Sequence, residues 1–113
     1  MPFIDVKLSE KISEEKKETV KTKLGKAVSL LHKPESYLMV GILDDYTLYF
    51  AGKKLSKGAY VCVSLFGQPA ARDTEKMTAE ICKILREELA VSGDKVYVTY
   101  HGVENWGWNG SNF

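Results

Sequence analysis

Residues 3–8 read "FIDVKL". Ile4, Val6 and Leu8 fall on one side of an extended chain, and Phe3, Asp5 and Lys7 fall on the other. This period of two predicts a strand with one well-buried face. Pro2 stands directly in front of it. Proline has no N–H to give a sheet ladder, so strands tolerate it at edges and at first positions. Pro2 therefore reads as the first residue of this strand. A small second residue also favours trimming of Met1, and trimming would make the proline ring nitrogen a free secondary amine.

Outward from this strand the period changes. In "SEEKKETVKTKLGKAVSLLHKP" (13–34), Val20, Leu24, Ala27, Val28 and Leu31 share one helical stripe. Ser13 is a candidate cap, Glu14 and Glu15 suit the positive end of a helix, and Pro34 ends the element. "YLMVGIL" (37–43) reads as a second, largely buried strand. "TLYFAG" (47–52) reads as a short strand or edge piece, and "KKLSKG" (53–58) as a polar loop.

The pattern then repeats. "AYVCVSLFG" (59–67) is a strand. "DTEKMTAEICKILREELAV" (73–91) is a helix capped by Asp73 or Thr74, with Met77, Ile81, Ile84, Leu85 and Leu89 as its stripe. "KVYVTYHG" (95–102) is another strand, and "NWGWNGSNF" (105–113) a turn-rich tail. Strand–helix–strand thus occurs twice, with crossovers long enough to join parallel strands. The expected fold is a single domain over residues 1–113 in the α/β (α+β) class. Two β-α-β units form a four-stranded mixed sheet with two helices on one face.

Two helices cover only one face of such a sheet. Leu38, Val40, Ile42, Val61, Val63 and Leu65 alternate with Met39, Leu43, Tyr60, Cys62 and Phe66, so both faces carry apolar residues. A sheet apolar on both faces needs cover on both. Other copies of the chain are the expected cover, in a closed cyclic arrangement.

The composition excludes several classes. The chain has 113 residues, 16 Lys plus Arg against 15 Asp plus Glu, and a net charge of +1. That balance offers no general attraction for nucleic acid or an anionic membrane. No apolar run approaches the ~20 residues of a membrane span. Cys62 and Cys82 form neither a CxxC nor a zinc spacing, so a reducing compartment is expected. No secretory signal leads the chain. The expected location is the cytoplasm, with secretion by a non-classical route left open. His32 and His101 lack a third ligand at metal spacing, so no metal and no cofactor are expected.

"MPFIDV", "HKPESYLMV", "FAG", "LFG", "DKVYVTY" and "WGWNGSNF" together resemble the macrophage migration inhibitory factor family of the tautomerase superfamily. Their order and spacing agree from Pro2 to Phe113. The resemblance implies a homotrimer of wrapped four-stranded sheets, with sites between subunits. It also implies a keto–enol tautomerase of phenylpyruvate-type or dopachrome-like substrates, whose general base is the Pro2 amine once Met1 is removed. The alternative it implies is a cytokine-like signalling protein that acts through a host receptor and carries a vestigial pocket.

The chemistry of these residue types agrees with the resemblance. A free α-amine has a reference pKa of about 7.7–8.0, and an apolar pocket and a nearby cation both lower it. Phe3, Phe66, Trp106, Trp108 and Phe113 are candidates for the apolar wall, and Lys33 for the cation. The resemblance assigns Lys33 to the substrate carboxylate and the Phe66 N–H to a substrate contact. It assigns Tyr97 to a hydroxyl contact from a neighbouring subunit and Tyr37 to the pocket mouth. Taken alone, Lys33 reads as a surface charge complementing a helix end, and Tyr97 as an ordinary strand aromatic.

The chain also departs from the family pattern. Gly58-Ala59-Tyr60-Val61 stands where animal cytokine members carry a CxxC, so thiol–disulfide activity from that motif is not expected. Ser64-Leu65 replaces a His-Ser pair, Thr99 replaces an asparagine, and Phe66 is larger than the usual isoleucine. These changes bear on substrate preference rather than on the catalytic class.

Overall fold

The computed structural model of the chain describes residues 1–113. Strand β1 (Pro2–Leu8) leads into helix α1 (Glu14–Ala27), whose stripe runs on through a 3₁₀ turn at Val28–Leu31. Strand β2 (Met39–Leu43) follows, then the short strands β3 (Tyr49–Phe50) and β4 (Lys53–Lys54). Strand β5 (Ala59–Phe66), helix α2 (Ala71–Leu89) and strand β6 (Val96–Val103) form the second half. The tail closes as a hairpin of β7 (Gly107–Trp108) and β8 (Ser111–Asn112).

The main sheet has four strands in the order β2-β1-β5-β6. Each crossover joins parallel neighbours, β1 to β2 and β5 to β6. The two halves meet antiparallel, β1 against β5, with Pro2 opposite Leu65 and Leu8 opposite Ala59. The sheet is therefore mixed, the two crossovers making its parallel pairs and the β1–β5 seam its antiparallel one.

Both helices pack on one face. Ile4, Val6, Leu8, Val61 and Val63 are almost wholly buried against Val20, Leu24, Met77, Ile81 and Ile84. The predicted stripes of both helices are the buried ones. Ser13 caps α1 as expected, its hydroxyl accepting the Lys16 N–H at 3.1 Å.

Four local readings need correction. Helix α2 starts at Ala71, with Ala70 rather than Asp73 or Thr74 as its cap residue. Thr74 instead donates to the Ala71 carbonyl at 2.9 Å, and Asp73 lies 3.2 Å from His32. Tyr37 belongs to a 3₁₀ turn, and β2 begins only at Met39. Strand β2 is also not largely buried. It forms the sheet's outer edge, and Met39 is 67% and Leu43 48% exposed. Finally, Lys53 and Lys54 are strand residues rather than loop. Ala51 (φ 52°) and Gly52 (φ 80°) make a two-residue turn with positive φ at both positions, which lets β3 pair with β4.

The face of the sheet away from the helices carries Phe3, Met39, Leu43, Tyr60, Cys62, Phe66 and Tyr97 in register. Its polar groups pair among themselves. Lys7 bonds Asp5 at 2.7 Å, and the Tyr60 hydroxyl bonds the Thr99 hydroxyl at 2.7 Å. No helix is long and apolar enough to cross a membrane.

Candidate active site

Strand β1 delivers Pro2 to the end of the sheet where β2 begins and β5 finishes. The proline is buried, on the same side of the strand as Ile4 and Val6. A cavity of about 530 Å³ opens there, lined by Met1, Pro2, Phe3, Tyr37, Trp106 and Trp108 among others. Ser36, Leu38 and Met39 also line it. Sequence reasoning gave Ser36, Leu38 and Met39 no site role, and their only signal is lying within two residues of Tyr37.

An aromatic rim stands over this cavity. The Trp108 and Phe113 rings stack at 5.9 Å, and Tyr37 meets Trp108 edge-on at 5.6 Å. Phe113 reaches Tyr37 at 6.3 Å and Phe66 at 6.2 Å. Such offset and edge-on pairs are favourable aromatic geometries. The tail hairpin makes the rim. Asn109 (φ 51°) and Gly110 (φ 86°) form its two-residue turn, and the Phe113 N–H bonds the Trp106 carbonyl at 3.0 Å. The tight turn aims Trp108 and Phe113 back at Tyr37 and Phe66.

Lys33 approaches from an adjoining hollow of about 380 Å³, which it lines with Leu65, Phe66 and Gln68. His32 just before it adopts a left-handed conformation (φ 59°) that ends the 3₁₀ turn. The Lys33 ammonium then donates to the Phe66 carbonyl at 2.9 Å. The ammonium is thus engaged at the end of β5 rather than at the helix end.

Met1 touches both parts. It lines the Pro2 cavity, and its carbonyl accepts the Phe66 N–H at 3.2 Å. While Met1 is attached, the Pro2 nitrogen is an amide. The Met1 amine shows the electrostatics of this end of the chain. Burial first, and Lys33 second, hold it below its ordinary value of 8.0. Both causes disfavour the charged form of an amine.

Pro2, Lys33, Phe66, Tyr37, Trp108 and Phe113 are thus brought together within one chain. Tyr97 is not. Its sheet partner is Tyr60, five positions along β5 from Leu65, the partner of Pro2, which is roughly 17 Å of strand. Tyr97 is 64% exposed and packs on Phe50 instead. The remaining polar candidates stay outside the cavity. His32 faces Asp73, and Cys62 and Cys82 are half-buried free thiols. No three His, Cys, Asp or Glu side chains gather as a metal site would need.

A family model described as macrophage migration inhibitory factor (MIF) matches residues 1–113. The chain belongs to that family. Among curated proteins, the macrophage migration inhibitory factor of Rattus norvegicus is 29% identical over 83 residues, 72% of this chain and 71% of its own. Among solved structures, Leishmania major MIF2 has a TM-score of 0.93 at 29% identity, over 100% of this chain and 97% of its own. The macrophage migration inhibitory factor-like protein of Entamoeba histolytica has a TM-score of 0.89 at 25% identity, over 99% and 98%. The mixed sheet with two helices is therefore the tautomerase fold of the family, matched here end to end.

Proposed function

We propose that the chain is a keto–enol tautomerase of phenylpyruvate-type or dopachrome-like substrates, with the Pro2 amine as general base after Met1 is removed. One observation carries the reading. Pro2 lines an aromatic-rimmed cavity, at a chain end where burial and Lys33 both hold the Met1 amine below its ordinary value. A base poised near neutral pH is what proton transfer at carbon needs.

The geometry supports a simple sequence. The substrate's aromatic group packs among Tyr37, Trp108 and Phe113, and its carboxylate pairs with Lys33. The neutral Pro2 nitrogen takes the proton from the carbon beside the ketone, and charge moves to the ketone oxygen. Loss of Met1 also removes the carbonyl that the Phe66 N–H now donates to. That N–H becomes a fixed donor for the developing enolate oxygen in a water-poor site. The Pro2 ammonium then returns that proton to the oxygen, directly or through solvent, which completes the enol and restores the neutral amine; the reverse order gives the ketone. The ring holds the nitrogen with little rotational freedom, so the base needs little ordering.

A homotrimer completes this site. Tyr97 stands too far from Pro2 to serve its own chain, so its hydroxyl serves the cavity of a neighbour. The exposed Met39, Leu43 and Tyr97 lie on the sheet face that the helices leave open, and packing of copies would cover them.

The test is Pro2→Gly in protein whose intact mass shows Met1 gone. Turnover of an enolised aryl pyruvate should fall about 100-fold or more, the range of a lost general base. A chain that retains Met1 should be equally poor, because its Pro2 nitrogen is an amide. Full activity in either form would overturn the reading. Loss of activity with the trimer mass intact would support it.

A further inference from the structure

We infer that Lys53, Lys54 and Lys95 form an anion-recruiting rim, carried by one chain to the active site of its neighbour and selective for carboxylate-bearing substrates. The inference rests on the proposed tautomerase reading, in which Tyr97 serves a neighbouring site.

The argument starts from Tyr97. Its ring packs against Phe50 at 5.5 Å, and the Lys95 ammonium sits 5.0 Å above the Phe50 ring. Phe50 pairs with Lys53 across the hairpin that carries Lys53 and Lys54. These residues share a hollow of about 400 Å³, which Phe50, Lys53, Lys54, Lys57 and Lys95 line together. Wherever Tyr97 goes, these cations go with it.

Charge pairing separates the lysines. Lys57 lies 3.7 Å from the Glu10 carboxylate and is partly neutralised. Lys53, Lys54 and Lys95 stand in none of the chain's ion pairs. Asp94, beside Lys95, is held by the Ser92 hydroxyl at 2.6 Å. Three cations outside these ion pairs thus collect around one hollow, and Asp94, whose carboxylate feels the Lys95 charge, is the acidic group beside them. The rest of the molecule is nearly neutral, with a net charge of +1. Any attraction for an anion must therefore come from a local cluster rather than from the molecule as a whole. A cluster at the mouth of a cleft raises the local concentration of an oppositely charged substrate. Lys33 would hold the carboxylate once bound, and the hairpin lysines would bring it there.

The test compares wild type with a Lys53→Gln, Lys54→Gln, Lys95→Gln variant. Glutamine removes the charge and keeps a long polar side chain. Ionic strength is raised from about 0.01 M to about 0.1 M, which shortens the Debye length from about 30 to about 10 Å. Wild-type kcat/KM for phenylpyruvate should fall about fivefold, with kcat unchanged. The variant should start about fivefold lower and show a clearly shallower salt slope, the remainder coming from Lys33. The methyl ester of the same substrate should show no difference between the two proteins. Parallel salt slopes in wild type and variant would overturn the inference. Binding of phenylacetate, read by tryptophan fluorescence, gives a readout without turnover. Salt-sensitive binding that the variant loses, in a protein without turnover, would refute the tautomerase reading and keep the anion rim. Equal salt sensitivity in both proteins would remove the rim and leave the tautomerase reading untouched.

Discussion

The Lys33 ammonium donates a 2.9 Å hydrogen bond to the Phe66 carbonyl, while the N–H of the same Phe66 points to the Met1 carbonyl. One peptide residue thus anchors the cation with its oxygen and offers its N–H beside Pro2. The left-handed turn at His32 and the end of β5 are both needed to bring these groups together.

Lys33→Gln should therefore act on the base as well as on the substrate. The amine at this chain end is held below 8.0 by burial first and by Lys33 second. Removing Lys33 leaves burial in place, so the pKa should move up but not fully recover. In the proposed mechanism the neutral amine is the active form. The acid limb of the kcat/KM profile should then shift to higher pH. KM for an aryl pyruvate should rise about tenfold, the scale of a lost charge-assisted bond. A pH–rate profile of wild type and variant checks both effects, and an unmoved acid limb would show that Lys33 does not tune the base.

Gly110→Ala should damage the rim and spare the core. Gly110 sits at φ 86°, where a side chain strains the backbone, and its turn aims Trp108 and Phe113. Near-ultraviolet circular dichroism should lose aromatic signal, and the far-ultraviolet spectrum should stay unchanged. KM should rise more than kcat falls. A near-ultraviolet spectrum identical to that of wild type would contradict the role given to this turn.

Ile81→Ala should cost about 3 kcal/mol, within the range for a large-to-small change in a core. Ile81 is 1% exposed, in the layer where α2 meets the sheet. Urea unfolding at a fixed protein concentration checks this. A loss below about 1 kcal/mol would mean that the layer closes around the gap.

Acid should destabilise the protein through Asp44 and Glu88. The Asp44 carboxylate accepts the Ile12 N–H at 2.9 Å, and this bond is the first cause of a pKa below 3.8. The Lys23 ammonium, 2.6 Å from Glu88, is the first cause of a pKa below 4.5 there. Both native pKa values lie below their unfolded ones. Their stabilisation is thus complete above the unfolded values and disappears as pH falls through the native ones. Melting temperatures below about pH 4.5 should drop less steeply in an Asp44→Asn, Glu88→Gln variant than in wild type. Parallel acid limbs would place the acid sensitivity elsewhere.

Much of the fold is legible without coordinates. Ile4, Val6 and Leu8 declare a strand by alternation, and Met77, Ile81, Ile84, Leu85 and Leu89 declare a helix face by their spacing. Both signals are local, because side-chain direction repeats every two residues in a strand and about every 3.6 in a helix. Asn109-Gly110 is legible as a turn for the same kind of reason. The start of α2 is less so, because Ala70 carries no capping side chain to mark it. The edge position of β2 left no trace in a run as apolar as "YLMVGIL".

The amino-acid order by itself determined the long strands and helices, the helix stripes and the repeated β-α-β plan. Tertiary structure alone decided that β1 meets β5 antiparallel, that Lys33 reaches the Phe66 carbonyl, and that Tyr97 lies far from Pro2 in its own chain. Periodicity is written in neighbouring residues. Register and strand order come from backbone pairing and packing between segments distant in the chain, and no local pattern encodes them.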